Sequence, residues 1–189
     1  MNYQKIVQAV AYLAGKCGVG GLNRLHAYKL LYLADRDSLR KSGITITGDC
    51  YNAMQYGPLP VYAERILKGE AKEEAKYSSK YLTVVPLETK NAANLVAIGN
   101  DQFEQLSEAD KESLDVAVEV YRKHPDIIAY THRFPEWRRA RNSGRSKCRM
   151  KFEDFFLSPS KGVEYCSADP EWVKTAKAAY EETAWVAAL

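Results

Sequence analysis

The run Leu30-Leu31-Tyr32-Leu33-Ala34 is the strongest constraint on how this chain can fold. It sits in a helical pattern over 23–42, where Leu25, Leu30, Leu31, Leu33, Ala34 and Leu39 recur at helical spacing. A surface helix carries one apolar stripe, but this run is apolar on more than one side, so the helix must be covered from several directions and belongs at the centre of the fold. Lys29, Arg36, Asp37, Arg40 and Lys41 fall mostly off the apolar positions. Asn23 is its natural N-cap and Gly43 its C-terminal stop.

The other elements follow from spacing and punctuation. Ile6, Val7, Val10, Tyr12, Leu13 and Ala14 predict a helix over 3–14, ended by the glycine-rich run 15–21. Ile44-Thr45-Ile46-Thr47 predicts a short strand that turns through Gly48-Asp49 into a partner over 50–55. Tyr56-Gly57-Pro58 ends that hairpin, and Pro58 and Pro60 suit the first turn of a helix reaching about Lys68. Residues 81–85 and 95–98 predict a second strand pair. Ser107 and Asp110 form a capping box ahead of a helix over 108–123. Helical pieces follow over 125–132 and 136–142, broken at Pro135, with a short one over 152–157. The tail from Pro159 predicts a last helix, N-capped by Ser167 or Asp169, that packs through Trp172, Val173, Ala176, Tyr180 and Trp185. The expected class is α+β, predominantly helical, with a small antiparallel β-sheet or hairpins: a domain over 1–158 and a helical extension over 159–189.

Composition narrows the class. The apolar share is 46% and the charged share 27%, as in ordinary globular proteins and unlike disordered ones. No apolar run approaches the roughly 20 residues that span a bilayer. The N-terminus lacks the basic, apolar and small-residue regions of a secretory signal, so a cytoplasmic location is expected. Cys17, Cys50, Cys148 and Cys166 contain no C-x-x-C pair, which argues against a zinc ribbon and for plain reduced thiols.

Candidate chemistry is sparse. The Tyr56-Gly57-Pro58-Leu59-Pro60 turn is either a binding edge with an exposed ring or a plain strand-to-helix turn. His132 stands five residues before Trp137 with no acid spaced to orient it as a general base, so a structural role is favoured. A cysteine with His26, His124 or His132 makes a thiol dyad on paper, without any local nucleophile signature. Asp35 with Asp37, and His124 with Asp126, lack the spacing of a metal motif. Gly18-Val19-Gly20-Gly21 follows a helix and lacks the lysine of a phosphate loop. These readings predict neither catalysis nor a cofactor.

Charge is the more informative signal. Between Arg133 and Lys151 lie Arg133, Arg138, Arg139, Arg141, Arg145, Lys147, Arg149 and Lys151 against the single acid Glu136. The whole chain has 27 basic and 24 acidic residues, so the remainder is net negative. Such a span is a solvated face or attracts an acidic protein surface or phosphate backbones, and its arginines suit bidentate contacts.

The ordered set Lys29-Leu30-Leu31-Tyr32-Leu33-Ala34, then Ala53 with Tyr56-Gly57-Pro58, then Thr131-His132 with Trp137, resembles the Panacea family, also called SocA-like or GepA-like, over roughly 4–157. One departure stands out: Glu136 separates Pro135 from Trp137, which are adjacent in the family pattern. The resemblance implies a mostly helical domain with a small β-element that neutralises a neighbouring toxin by direct contact, in some members as an adaptor to a protease. It implies structural roles for Leu30, Tyr32, Gly57, Pro58, His132 and Trp137. Partner contact is expected at Tyr56, Arg133, Arg138, Arg139, Arg141 and Arg145, with a nucleic-acid-binding regulator as the alternative and no membrane partner.

Overall fold

The computed structural model describes residues 2–18, 20–89, 92–99, 102–142, 144, 148–159, 163 and 169–186, the last helix with side chains to Thr183. In chain order the elements are α1 (Tyr3–Lys16), β1 (Leu22–Asn23), α2 (Arg24–Ser42), β2 (Tyr51–Met54), β3 (Gly57–Pro60), α3 (Val61–Leu67) and α4 (Lys72–Ser78). They continue with β4 (Leu82–Pro86), β5 (Ala93–Ala97), α5 (Glu108–Lys123), α6 (Ile127–Thr131), α7 (Pro135–Arg141), β6 (Cys148–Arg149), a 3-10 turn (Phe152–Phe156) and α8 (Pro170–Val186). The fold is α+β and predominantly helical. Among the described residues two small antiparallel sheets run β1-β5-β4 and β3-β2-β6.

Helix α2 is the axis. All five residues from Leu30 to Ala34 are fully buried, because α1, α5 and α8 pack on it together with β3 and the 3-10 turn. Its ends match their chemistry: the Asn23 side chain accepts from the Leu25 N–H at 2.9 Å, and Gly43, at φ 79°, closes onto the Leu39 carbonyl at 2.8 Å. Helix α5 carries the predicted capping box between Ser107 and Asp110, and the 152–157 piece is the 3-10 turn.

Three expectations are corrected. Residues 44–47 form an irregular arch and no strand: the Thr47 N–H and hydroxyl both donate to Asp35, and Ile44 is 69% exposed. A side chain has taken the backbone donor a ladder needs. Next, Pro58 and Pro60 lie within β3, and α3 begins only at Val61. Two prolines are tolerated there because β3 is an edge strand, and Asp49, reaching from outside the helix, accepts from the Tyr62 and Ala63 N–H groups as a cap. Finally, Lys29, Arg36, Asp37 and Arg40 are buried instead of facing outward. Each charge is matched from a distant segment or a near turn: Lys29 by the Pro58 carbonyl, Arg36 by Glu136, Arg40 by the Phe155 and Phe156 carbonyls, and Asp37 by Lys41.

Helix α8 lies against α2 and the 3-10 turn. Ala176 is buried, and Tyr180 meets Phe156 with ring centroids 5.6 Å apart. Trp172, expected on the packed face, is instead 61% exposed. The Asp169 side chain accepts from the Glu171 N–H at 2.8 Å, as an N-cap would. Ser167 and Cys166, and the side chain of Trp185, lie outside the described residues.

Candidate functional site

The two motif segments, distant in sequence, meet at Gly57. Its φ of +92° is a left-handed conformation favoured by glycine, and a Cβ there would stand 2.7 Å from Thr131 Oγ1, 3.1 Å from Lys29 Cε and 3.5 Å from His132 Nε2. Glycine is thus required twice over, by the dihedral and by the close approach of α2 and α6. Pro58, beside it, accepts a 2.7 Å hydrogen bond from Lys29 Nζ in a buried setting.

His132 and Trp137 are held as a stack. The Asp126 side chain caps α6 by accepting from the Ala129 N–H, and fully buried Phe134 anchors the link into α7, where Pro135 occupies the first turn. The His132 and Trp137 rings then lie nearly parallel with centroids 4.0 Å apart, and Trp137 Nε1 donates to the Met54 carbonyl at 3.1 Å. The intervening Glu136 turns inward to the core, so the departure from the family pattern leaves this packing intact.

Burial perturbs several titratable groups at and around this junction. Burial, aided by the charge of Lys29, pulls His132 below its ordinary value, and its Nε2 has no hydrogen-bond partner among the described residues. Burial draws Lys29 down to about 7, opposed by Glu64. Burial pushes the Cys17 and Cys50 thiols up, away from the thiolate a nucleophile requires. His26 Nδ1 is 2.7 Å from the Tyr121 hydroxyl. Among the described residues no group of three His, Cys, Asp or Glu side chains could hold a metal ion.

Beside the Gly57 junction opens a groove of about 520 Å³, lined among others by Leu25, Tyr28, Lys29, Met54, Tyr56 and Leu59. Tyr56 projects from the β2–β3 turn at 59% exposure. Leu30 and Tyr32 are fully buried beneath. Sequence reasoning missed Tyr28 and the depth of Lys29; the signal was present in the motif's Lys29, which stands directly before the apolar run.

The expected arginine face is divided. Arg138 and Arg139 on α7 are exposed, and Arg133 and Arg141 are half-buried. Arg138 Nε donates to the His132 carbonyl at 3.0 Å, the Arg133 guanidinium lies 5.9 Å from the Tyr130 ring centre, and Arg139 pairs with Asp154 at 3.2 Å. The span therefore does have an acidic counterpart, just past its end. Arg145 and Lys147 lie outside the described residues.

No curated protein and no solved structure matches this chain. The family described as antitoxin SocA-like, Panacea domain, matches residues 28–138, which hold the whole Gly57 junction, the His132–Trp137 stack and most of α2. That span exceeds half of the chain, and the protein therefore belongs to the SocA-like, Panacea-domain antitoxin family.

Proposed function

We propose that this chain is the antitoxin of a bacterial or prophage toxin–antitoxin pair, and that it neutralises a toxin encoded beside it by direct protein contact. The observation that carries this is the match over 28–138, the segment that builds the groove floor and presents Tyr56 at its rim. The chain works by binding and not by turnover: burial raises the Cys17 and Cys50 thiols, which disfavours the thiolate that a nucleophile requires. None of the described helices is long and apolar enough to cross a membrane, and the toxin is met in the cytoplasm.

Induced expression of the adjacent reading frame, alone and with this chain, tests the proposal. Growth arrest that is relieved by co-expression, with the two proteins co-purifying, is expected. Toxicity that persists, or relief without association, overturns it. Delivery to a protease is distinguished by the toxin's half-life, which shortens on co-expression for an adaptor and is unchanged or longer for a blocking antitoxin.

A further inference from the structure

We propose that the groove at the N-terminal end of α2 is the receptor for one acidic side chain of the toxin, an Asp or Glu on an extended segment with apolar neighbours; this rests on the antitoxin reading.

Four elements build the groove. Helix α2 supplies Arg24, Tyr28 and Lys29, the β2–β3 hairpin supplies Met54, Tyr56 and Leu59, α3 and its C-cap supply Glu64 and Lys68, and Ala93 of β5 completes the lining. Among the described residues its walls hold three cations and one carboxylate, and that carboxylate is engaged by Lys68 at 2.6 Å. The floor is therefore positive. It also lies at the N-terminus of a 19-residue helix, the end that favours negative charge.

Two buried polar groups in this lining have unused bonding capacity. The Tyr28 hydroxyl has no hydrogen-bond partner among the described residues, although the residue is only 4% exposed. Lys29, 1% exposed, spends one N–H on the Pro58 carbonyl, and an ammonium has three. Buried donors without acceptors are costly, and a carboxylate, with only acceptor sites, is the chemistry that either donor lacks. A dianion such as phosphate suits the site less well, because Glu64 shares the wall and Leu25, Met54 and Leu59 supply apolar surface for side chains flanking the acid. Exposed Tyr56 at the rim offers the partner an aromatic contact outside the groove.

The groups bearing on Lys29 give the site a pH signature. Burial favours the neutral form of Lys29, and the charge of Glu64 on α3 favours its ammonium; His26 on α2 and His132 after α6 are themselves lowered, chiefly by burial. Arg24 and Lys68 complete the positive wall. A carboxylate seated beside Lys29 restores its proton, so binding takes up a proton and weakens as pH rises above 7.

The test is an NMR titration of the full 15N-labelled chain with acetyl-Leu-Glu-Leu-amide, the Gln counterpart and inorganic phosphate, at pH 6.5 and 8.5. We expect the Glu peptide to shift the amides of Leu25, Lys29, Tyr56 and Gly57, to bind at least fivefold more tightly than the Gln peptide, and to weaken at pH 8.5. Arg24→Gln, at a half-buried position whose guanidinium also donates to the Leu67 carbonyl at 3.4 Å, should cut that affinity at least threefold with folding checked by the 15N spectrum, even if Lys29→Met fails to fold. Equal binding of the two peptides, no binding at millimolar concentration, or shifts mapping elsewhere would overturn the proposal. Tighter binding of phosphate would do so as well, assigning the groove to a small anion. Full neutralisation by Arg24→Gln would sink the groove while leaving the antitoxin reading intact; failure of the unmodified chain to neutralise would sink that reading instead.

Discussion

Arg36 Nε lies 2.6 Å from Glu136 Oε1, and neither side chain has any solvent exposure. The Tyr32 hydroxyl donates to the same carboxylate oxygen, Arg36 Nη2 donates to the Leu157 carbonyl at 2.8 Å, and the guanidinium sits 4.7 Å from the Phe134 ring centre. One buried ion pair thus joins α2, α7 and the segment after the 3-10 turn. Removing one partner strands the other, at a cost of about 3–5 kcal/mol, whereas replacing both with apolar groups of similar volume is far cheaper. Glu136→Gln should therefore lower unfolding stability by about that amount in urea, and Arg36→Met with Glu136→Leu should recover most of it. A single-variant loss below about 1 kcal/mol would contradict this clamp.

Gly57 gives the second prediction. Any side chain meets both an unfavourable φ and the Thr131 hydroxyl, so Gly57→Val should destabilise by about 1–3 kcal/mol or more. Thr131→Ala in the same chain should restore the part due to collision and leave the part due to the dihedral. His132→Ala, by contrast, should reduce toxin binding only as far as it reduces folding; a turnover activity abolished in folded His132→Ala protein would refute the positioning role.

These two sites show what the sequence could and could not convey. Helix α2, its caps, the α5 capping box and the second hairpin were legible because local periodicity and end chemistry fix them. The arch at 44–47 was not: its β-branched residues carry strand propensity, but Asp35, twelve residues back in α2, takes the Thr47 donor. Nor did periodicity reveal that charged residues of α2 are buried, because Arg36 and Arg40 are answered by residues 100 and 115 positions away. Helical spacing reports which positions are apolar, and it is silent on which polar positions find partners. Strands β1 and β6, two residues each, offer no pattern to detect. The motif residues were legible as a set, while their convergence on Gly57 was a matter of tertiary contact.

The protonation of Lys29 gives a third prediction. Its folded value of about 7 lies below the ordinary 10.5, so between these pH values the unfolded chain binds more protons than the folded one. Stability from this group therefore rises with pH across that window, by at most about 1.4 kcal/mol per unit. Relative to Lys29→Met, the unmodified chain should gain melting temperature from pH 7 to 9. Asp35 works in another range: burial raises it to about 6 from 3.8, so its contribution is lost as pH climbs toward 6 and is constant above about 7. Parallel melting curves for the two proteins between pH 7 and 9 would show that Lys29 remains charged throughout.

The arginine face supplies the fourth. Arg139 is 62% exposed and its pair with Asp154 is at the surface, where ion pairs contribute little. Arg139→Glu with Arg141→Glu should weaken toxin association and flatten its salt dependence, with the far-UV circular dichroism intact. Arg138→Glu should also cost stability, since that side chain tethers the His132 carbonyl. Unchanged affinity in the double variant would remove this face from the interface. For duplex DNA as partner, log affinity should fall steeply with log salt, and a flat response would dismiss a regulator role.

The last prediction concerns α8. A Cβ on Gly43 would come within 2.7 Å of the Ala176 carbonyl oxygen and 3.2 Å of the Tyr180 nitrogen, so the helix rests directly on the left-handed cap of α2. Buried Ala176 and half-buried Val173 and Tyr180 form the contact, and Trp172 points away from it. Truncation at Ser158 uncovers this apolar surface, and the loss should be on the order of 3 kcal/mol. Gly43→Ala should destabilise the full chain more than the truncated one, because part of its clash is with α8. Trp172→Ala should leave the melting temperature unchanged and reduce toxin binding, since a large exposed ring on a packed helix is free to meet a partner. A truncated chain that melts at the original temperature would deny α8 its structural part, and full neutralisation by Trp172→Ala would deny it a part in recognition.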